Sequence, residues 1–226
     1  MSRPGDDHPS GPSVPIPEHR APVLGTLALT LAVPLLFPSD FTLGPRWLLP
    51  TIGAVLLVVI ALADPGHIDT RSRHVRALRI ALAVVLVCSA TFATSRLIDD
   101  LVRGGGITNS AGQLLRAGAL VWVFLVLVFG FLFWELDGGG PGRRSHRTPP
   151  HPDLAFPQHV APEVARPGWR PMFFDYLYLG FTNATAFSPT DVMPLVHWAK
   201  LVMALESLAS LVIIGLVVAR AVNILN

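Results

Sequence analysis

The sequence predicts an all-α fold, a polytopic bundle of transmembrane helices. We expect four spans, a C-terminal short helix or re-entrant loop, and a final long helix. Of the 226 residues, 51% are hydrophobic and 14% are charged, whereas soluble domains carry about 25% charged residues. The mean hydropathy is +0.53, and the apolar residues form long runs that are apolar around the whole helical wheel, as in buried or membrane-spanning helices. This composition argues against a soluble enzyme, a disordered chain and a nucleic-acid-binding protein.

The charge balance and the motif content exclude further classes. A net charge of +2 offers no basic surface for nucleic acid. The single cysteine, Cys88, excludes an internal disulfide and a cysteine-rich metal site. The chain has no His-Glu-x-x-His, Gly-x-Ser-x-Gly, phosphate-binding glycine loop or dinucleotide motif. We therefore expect no enzymatic activity, no cofactor and no metal.

The elements follow one another along the chain as a tail and four apolar runs. Residues 1–22 are polar and proline-rich, and without the features of a signal peptide we expect them to stay attached as a disordered tail. The predicted spans are 23–37, 47–63, 77–94 and 114–136. The first is short, because crossing about 30 Å of hydrocarbon takes about 20 helical residues. Together, 23–136 form a predicted four-helix transmembrane region.

Residues 137–171 differ in composition from the spans. They are rich in Gly, Pro and Arg, which argues against a helix or a central strand. We expect a flexible linker outside the hydrocarbon. Its histidines, His146, His151 and His159, are irregularly spaced and have no cysteine or carboxylate cluster beside them. They are therefore interpreted as solvated loop residues and not as metal ligands.

The distribution of basic residues predicts the orientation and the source. The tail holds 2 arginines, residues 64–79 hold 4 and the linker holds 5, whereas the loops on the opposite side hold 4. Arginine-rich loops stay in the cytoplasm, so the N-terminus and the linker are placed there. Sixteen of the 17 basic residues are arginine, which with abundant Ala, Val, Gly and Pro is typical of a GC-rich bacterial genome. We expect a multi-pass protein of the bacterial inner membrane.

The C-terminal segment, 172–226, carries the functional signal. It consists of a short aromatic-rich piece at 172–188, a proline-containing break at 189–194 and a final helix at 195–225. Small polar residues follow the aromatic piece, and one carboxylate interrupts the final helix. The predicted polar path consists of Thr182, Thr185, Ser188, Asp191 and Glu206.

This segment resembles the pore-helix, filter and inner-helix unit of potassium-channel-like proteins. Thr185 matches the first filter threonine, and Asp191 and Pro194 match the Asp and Pro that follow the filter. The five positions that read Thr-Val-Gly-Tyr-Gly in the family read Ala-Phe-Ser-Pro-Thr at 186–190. The missing glycines remove the backbone geometry that lines a narrow pore with carbonyls. The resemblance therefore implies a pore loop without potassium selectivity.

The same segment also resembles the C-terminal region of a family of uncharacterised bacterial integral membrane proteins. The matching pieces are Asp-Tyr-Leu-Tyr at 175–178, the stretch 182–185, Asp-Val at 191–192 and Ala-Val-Asn at 221–223. This resemblance covers about 55 of the 226 residues, and it implies a shared architecture without an activity.

Three alternatives are open for 172–188. A potassium-channel pore loop enters from outside, whereas the arginine counts place the preceding linker inside. The piece either crosses the membrane as a short span packed in the bundle, turns back as a re-entrant loop, or lies on the surface as a helix.

Glu206 has a functional and a structural interpretation. Met203, Glu206, Ser210 and Val217 fall on one face of the final helix, with Ala199 beside them. Intramembrane carboxylates are costly and mark polar paths, proton sites or buried partners. The structural alternative is a carboxylate that reaches the interface or pairs with Lys200 or Arg116.

Three functions follow from these patterns. The leading hypothesis is a channel-like pore-loop protein that lacks a potassium filter and passes ions or protons. In this hypothesis the path can be formed by a homo-oligomer. The second is a non-conducting scaffold that binds protein partners through its tail and linker. The third is a small-solute transporter, for which no inverted repeat is visible. In each case the surroundings are the lipid bilayer, and no nucleic acid is expected.

Overall fold

The computed structural model describes residues 18–63, 72–104, 110–146, 151–185 and 191–225. These residues form eight α-helices and one antiparallel pair of short strands, which confirms the predicted all-α class. The helices are α1 (Arg20–Ala32), α2 (Leu48–Ala63), α3 (Arg73–Arg103), α4 (Ala111–Leu136), α5 (Pro141–His146), α6 (Pro157–Val160), α7 (Phe173–Thr185) and α8 (His197–Leu225). The strands are β1 (Leu154–Ala155) and β2 (Met193–Pro194). Short 3₁₀ turns lie at Val33–Leu36, Ser39–Phe41, Asp137–Gly139 and Pro162–Val164.

Among the described residues, three helices are long and apolar enough to cross a membrane: Arg73–Arg103, Ala111–Gly139 and His197–Ile224. The number of predicted spans is therefore corrected. The first two runs form shorter apolar helices, Arg20–Leu36 and Leu48–Ala63. A helix of 16 residues is about 24 Å long, which is less than the hydrocarbon thickness of about 30 Å.

The two shorter helices form an antiparallel hairpin beside the long ones. Arg20 Nη1 donates a hydrogen bond to the Ala61 carbonyl oxygen at 3.3 Å. At the other end of the hairpin, Gly53 lies against the Leu31 side chain. α4 is the centre of the bundle and packs against α1, α3, α7 and α8. Its large side chains, such as Phe124 and Trp134, are buried in the core.

The described residues 137–146 and 151–171 fold over one end of the bundle, and we call them the cap. The Asp137 carboxylate accepts hydrogen bonds from Tyr176 Oη of α7 and from the Leu154 N–H of β1. The Arg144 guanidinium donates to the carbonyl oxygens of Trp134 and Asp137. The prediction of an unstructured linker is therefore corrected for these residues.

Proline does not prevent the short helices of the cap. Pro141 and Pro157 are the first residues of α5 and α6, and Pro162 begins the following 3₁₀ turn. The first position of a helix has no intrahelical partner for its N–H, so proline fits there without loss of a hydrogen bond. The prolines therefore limit where helices begin.

α7 and α8 begin at the same end of the bundle, beside the cap. The Tyr176 ring in the first turn of α7 lies 5.2 Å from the ring of Phe156, which follows β1. β2 pairs with β1, Pro194 opposite Leu154, immediately before α8 starts at His197. The chain that leaves α7 at Thr185 has therefore returned to the cap by β2.

The depth of the contacts shows that α7 and α8 also run in the same direction. Asn183 lies ten residues into α7 and Glu206 nine residues into α8, which places both about 14–15 Å from the helix starts. Their side chains are hydrogen-bonded at 2.7 Å. Two helices that start together and meet at equal depth are parallel.

Candidate functional site

The Glu206 carboxyl is buried inside the helix bundle, where α7, α8 and α4 meet. The residue is 0% exposed. Its Oε2 accepts a hydrogen bond of 2.7 Å from Asn183 Nδ2. Its Oε1 is buried and has no hydrogen-bond partner among the described residues. Half of the carboxyl is therefore without a polar contact in the described part of the chain.

The side chains around Glu206 link the three helices through hydrogen bonds. Asn183 Nδ2 also donates to the Met203 carbonyl at 2.9 Å, and its Oδ1 accepts from Ser207 Oγ at 3.1 Å. Trp122 Nε1 of α4 donates to Ser210 Oγ at 2.7 Å. We call these five side chains the polar cluster: Trp122, Asn183, Glu206, Ser207 and Ser210.

Neither structural alternative for Glu206 fits this geometry. A carboxylate that reaches the interface would be exposed, and Glu206 is not. Lys200 and Arg116 are exposed, and neither forms an ion pair with Glu206. Among the described residues, Glu206 thus has an amide donor and no cation.

The end of α7 adds a partial charge to this site. Asn183 and Ala184 lie in the last turn of the helix, and their carbonyl oxygens accept from Ser207 Oγ and Ser210 Oγ. The C-terminus of a helix carries roughly half a negative charge. The helix end and the carboxyl together favour a proton or a cation and disfavour an anion.

The other predicted path residues lie apart from Glu206. Thr185 and Asp191 are exposed. The hydroxyls of Thr182 and Thr185 donate to carbonyl oxygens of their own helix, those of Tyr178 and Phe181, at 2.9 Å each. Ser188 lies outside the described residues.

The helical spacing around Glu206 does predict its buried neighbours on α8. Ala199, Met203, Ser210 and Val217 are all buried. Asn183 and Trp122 were missed as members of the site, because they come from other helices. The sequence does contain one signal for Asn183. This residue lies on the same face of α7 as Tyr176, Leu179 and Gly180, and their spacing is typical of the packed side of a helix.

A second group of buried charges lies at the cap end. Arg79 Nε and Glu135 Oε2 form an ion pair of 2.9 Å, with side chains 5% and 0% exposed. Nearby, Glu18 accepts hydrogen bonds from Trp134 Nε1 and the Phe173 N–H. Burial raises the pKa of the Glu18 carboxyl above its ordinary value, against these hydrogen bonds, which lower it. The Glu18 contacts join the start of the described chain to α4 and α7, and the ion pair joins α3 to α4.

Metal-ligand geometry is not present in the part of the chain that the structure describes. No three His, Cys, Asp or Glu side chains there are placed to hold one metal ion. His159 is half-buried in the cap beside Trp169, so it is not the solvated loop residue expected from the sequence.

Fold and site together define an all-α membrane protein with a buried carboxyl inside its helix bundle. The chain matches no family model, and no curated protein or solved structure is significantly similar to it.

Proposed function

We propose that this chain is a bacterial inner-membrane protein that passes protons across the bilayer, with Glu206 as the group that binds the proton inside the membrane. The observation that carries the proposal is the fully buried carboxyl with one oxygen on Asn183 and the other without a partner. The proposal narrows the ion- or proton-conducting hypothesis to protons.

The chemistry of a buried carboxyl favours proton binding. An ionised carboxylate away from water and without a cation is costly, whereas the protonated form is not. A change in the charge of Glu206 is therefore tied to the movement of a proton. A proton also needs only donors and acceptors, while a hydrated cation would have to displace the buried side chains of Asn183, Glu206 and Ser210.

α7 is much shorter than the long helices beside it, and its last turn lies next to Glu206. Its 13 residues are about 20 Å long, and the chain is back at the cap by Met193. The helix end beside Glu206 adds negative partial charge, which draws protons. This placement of a short helix parallel to a lining helix supports the pore-loop hypothesis without a potassium filter.

The outer face of α8 indicates the surroundings of the path. Leu201, Leu205, Leu208 and Leu211 are exposed along one side. Such a face suits lipid chains or a second copy of this protein. The arginine counts support a cytoplasmic cap.

Proton flux into liposomes that contain the purified protein and an internal pH-sensitive dye tests the proposal. Glu206→Gln keeps the shape and removes the titrating group, so we expect flux to fall by at least about 10-fold. Glu163→Gln makes the same change at an exposed position of the cap, and we expect its flux to stay close to that of the wild type.

Two results would overturn the proposal. One is a folded Glu206→Gln variant that conducts protons as fast as the wild type. The other is wild-type protein whose flux equals that of empty liposomes, which would favour the scaffold hypothesis.

A further inference from the structure

The cap contains a partly open cavity of about 490 Å³ at the end of the bundle. Its wall includes three arginines, Arg144, Arg166 and Arg170, together with His159 and Trp169. Among the described residues that line it, one is acidic, Asp137. The volume lies in the range of small-molecule sites, about 300–1,000 Å³, and it is larger than an inorganic anion needs.

Arg144 brings a buried positive charge to this wall. The residue is 7% exposed, and its Cζ lies 4.9 Å from the centre of the Tyr176 ring. Nη1 donates to two backbone carbonyls, those of Trp134 and Asp137. Nη2 is buried without a hydrogen-bond partner among the described residues. A buried guanidinium nitrogen without a partner is unfavourable, and an anionic ligand in the cavity would supply one.

His159 is arranged as a neutral hydrogen-bond donor. The Phe156 N–H donates to His159 Nδ1 at 3.1 Å. The neutral imidazole therefore carries its hydrogen on Nε2. Burial lowers the pKa of His159, which favours this neutral form.

A rigid turn places Arg166 and Trp169 on the same wall. The Trp169 N–H donates to the Arg166 carbonyl at 2.9 Å, and Gly168 between them has φ 74°. Gly at the third position supplies the positive φ that a type II turn requires, and Pro is common at the second. The wall is thus formed before a ligand arrives, which reduces the entropy lost on binding.

The carboxylate of Asp137 is already engaged elsewhere. Its two oxygens accept from Tyr176 Oη and the Leu154 N–H. Three arginines and this one carboxylate line the described part of the wall. Two carboxyls that do not line it offset part of the positive charge: Glu135 interacts with Arg144, and Glu18 interacts with Arg144 and Arg170. Trp169 and four prolines supply the apolar part: Pro152, Pro162, Pro167 and Pro171.

We propose that the cap cavity binds a phosphate ester, with the phosphate held by the arginines and His159 and the carbon portion against Trp169 and the prolines. The ester is either a free organic phosphate or the headgroup of an anionic phospholipid, because both present the same chemistry. This inference is independent of proton transfer by Glu206.

Binding to the full chain in phosphatidylcholine nanodiscs tests this proposal by calorimetry. The soluble probe is glycerol phosphate, with uncharged glycerol as its control. The lipid probe is phosphatidylglycerol, bound to the detergent-solubilised protein and counted by native mass spectrometry. Binding of glycerol phosphate identifies a free organic phosphate, whereas binding of phosphatidylglycerol alone identifies a headgroup.

Two variants connect the binding to the cavity. Arg166 is exposed, so Arg166→Ala leaves the fold intact, and we expect the loss of a charge-assisted pair to weaken binding about 10-fold. Arg143 is exposed on the same cap but outside the cavity wall, and we expect Arg143→Ala to bind as the wild type does.

The proposal fails if neither probe binds at concentrations up to about 10 mM, because a specific site would bind at far lower concentrations. It also fails if glycerol binds as well as glycerol phosphate, or if Arg143→Ala weakens binding as much as Arg166→Ala. The last result would show a general attraction of the cap for anions.

Discussion

The Arg79–Glu135 ion pair, which joins α3 to α4, allows a quantitative prediction. Its side chains are 5% and 0% exposed, with Nε and Oε2 2.9 Å apart. Arg79→Met leaves the Glu135 carboxylate buried without its partner, which costs about 3–5 kcal/mol. Arg79 Nη1 and Glu135 Oε1 already have no hydrogen-bond partner among the described residues. The pair is thus incompletely satisfied, so replacing both members by Met and Leu changes stability by less than about 1 kcal/mol.

The exposed pair Arg103–Asp99 is the matched control. Its atoms are closer, at 2.6 Å, but the side chains are 79% and 34% exposed. Solvent screening limits such a pair to less than about 1 kcal/mol, so Arg103→Ala has a small effect despite the shorter distance.

Reversible unfolding in mixed micelles, measured for the two single variants and the double variant, provides the test. We expect a coupling energy of at least about 3 kcal/mol between Arg79 and Glu135. A coupling energy no larger than that of Arg103 and Asp99 would show that burial does not determine the strength of this pair.

Helix packing at Gly180 and the titration of His159 can each be tested by unfolding measurements. A Cβ at Gly180 would lie 3.0 Å from the Val126 carbonyl oxygen, whereas a Cβ at Gly215 would meet no atom within 4 Å. We therefore expect thermal unfolding to show that Gly180→Ala destabilises the protein by about 1–3 kcal/mol and that Gly215→Ala does not destabilise it. An equal effect of the two substitutions would contradict the close packing of α4 and α7. Burial lowers the pKa of His159 from 6.5, so the unfolded chain binds its proton first and stability falls as the pH falls below about 6.5. Asn at this position keeps an acceptor for the Phe156 N–H and does not titrate. The His159→Asn variant should therefore lose less stability than the wild type when the pH falls from about 7.5 to 5.5. Equal losses of stability in the two proteins would contradict the lowered pKa of His159.

Hydropathy located the long helices well, and it placed the ends of α4 and α8 within three residues but missed both ends of α3. The prediction of 77–94 identified the centre of α3, which extends to Arg73–Arg103. Its last turns are polar and are held by Arg96–Asp99 and Asp99–Arg103 pairs. Such pairs support a helix at i,i+3 and i,i+4 spacing, but they do not raise its hydropathy.

The cap could not be predicted from its composition. Local sequence shows many prolines and glycines, and these are typical of a flexible segment. The contacts that order the cap are long-range, such as Asp137 with Tyr176 and Leu195 N with the Asp153 carbonyl. One local feature was readable: the Pro-Gly pair at 167–168 predicts the turn before Trp169.

The candidate site was predicted only in part, because some of its contacts are also long-range. Helical spacing along α8 placed Ser210 on the same face as Glu206, because both belong to one helix. The partner of the carboxyl, Asn183, comes from α7 at 23 residues' separation, and Trp122 from α4. The spacing within one helix cannot reveal which residue of another helix packs against it.

The rate at which the Glu206 proton exchanges with water tests whether this carboxyl carries protons across the membrane. Infrared spectroscopy of the reconstituted protein detects the carbonyl stretch of a protonated carboxyl, and its loss in Glu206→Gln assigns the band. If Glu206 carries the protons, this band shifts in D₂O as fast as protons cross the liposome membrane. A Glu206 band that keeps its position in D₂O during that time would show a permanently sealed carboxyl and would contradict proton transfer.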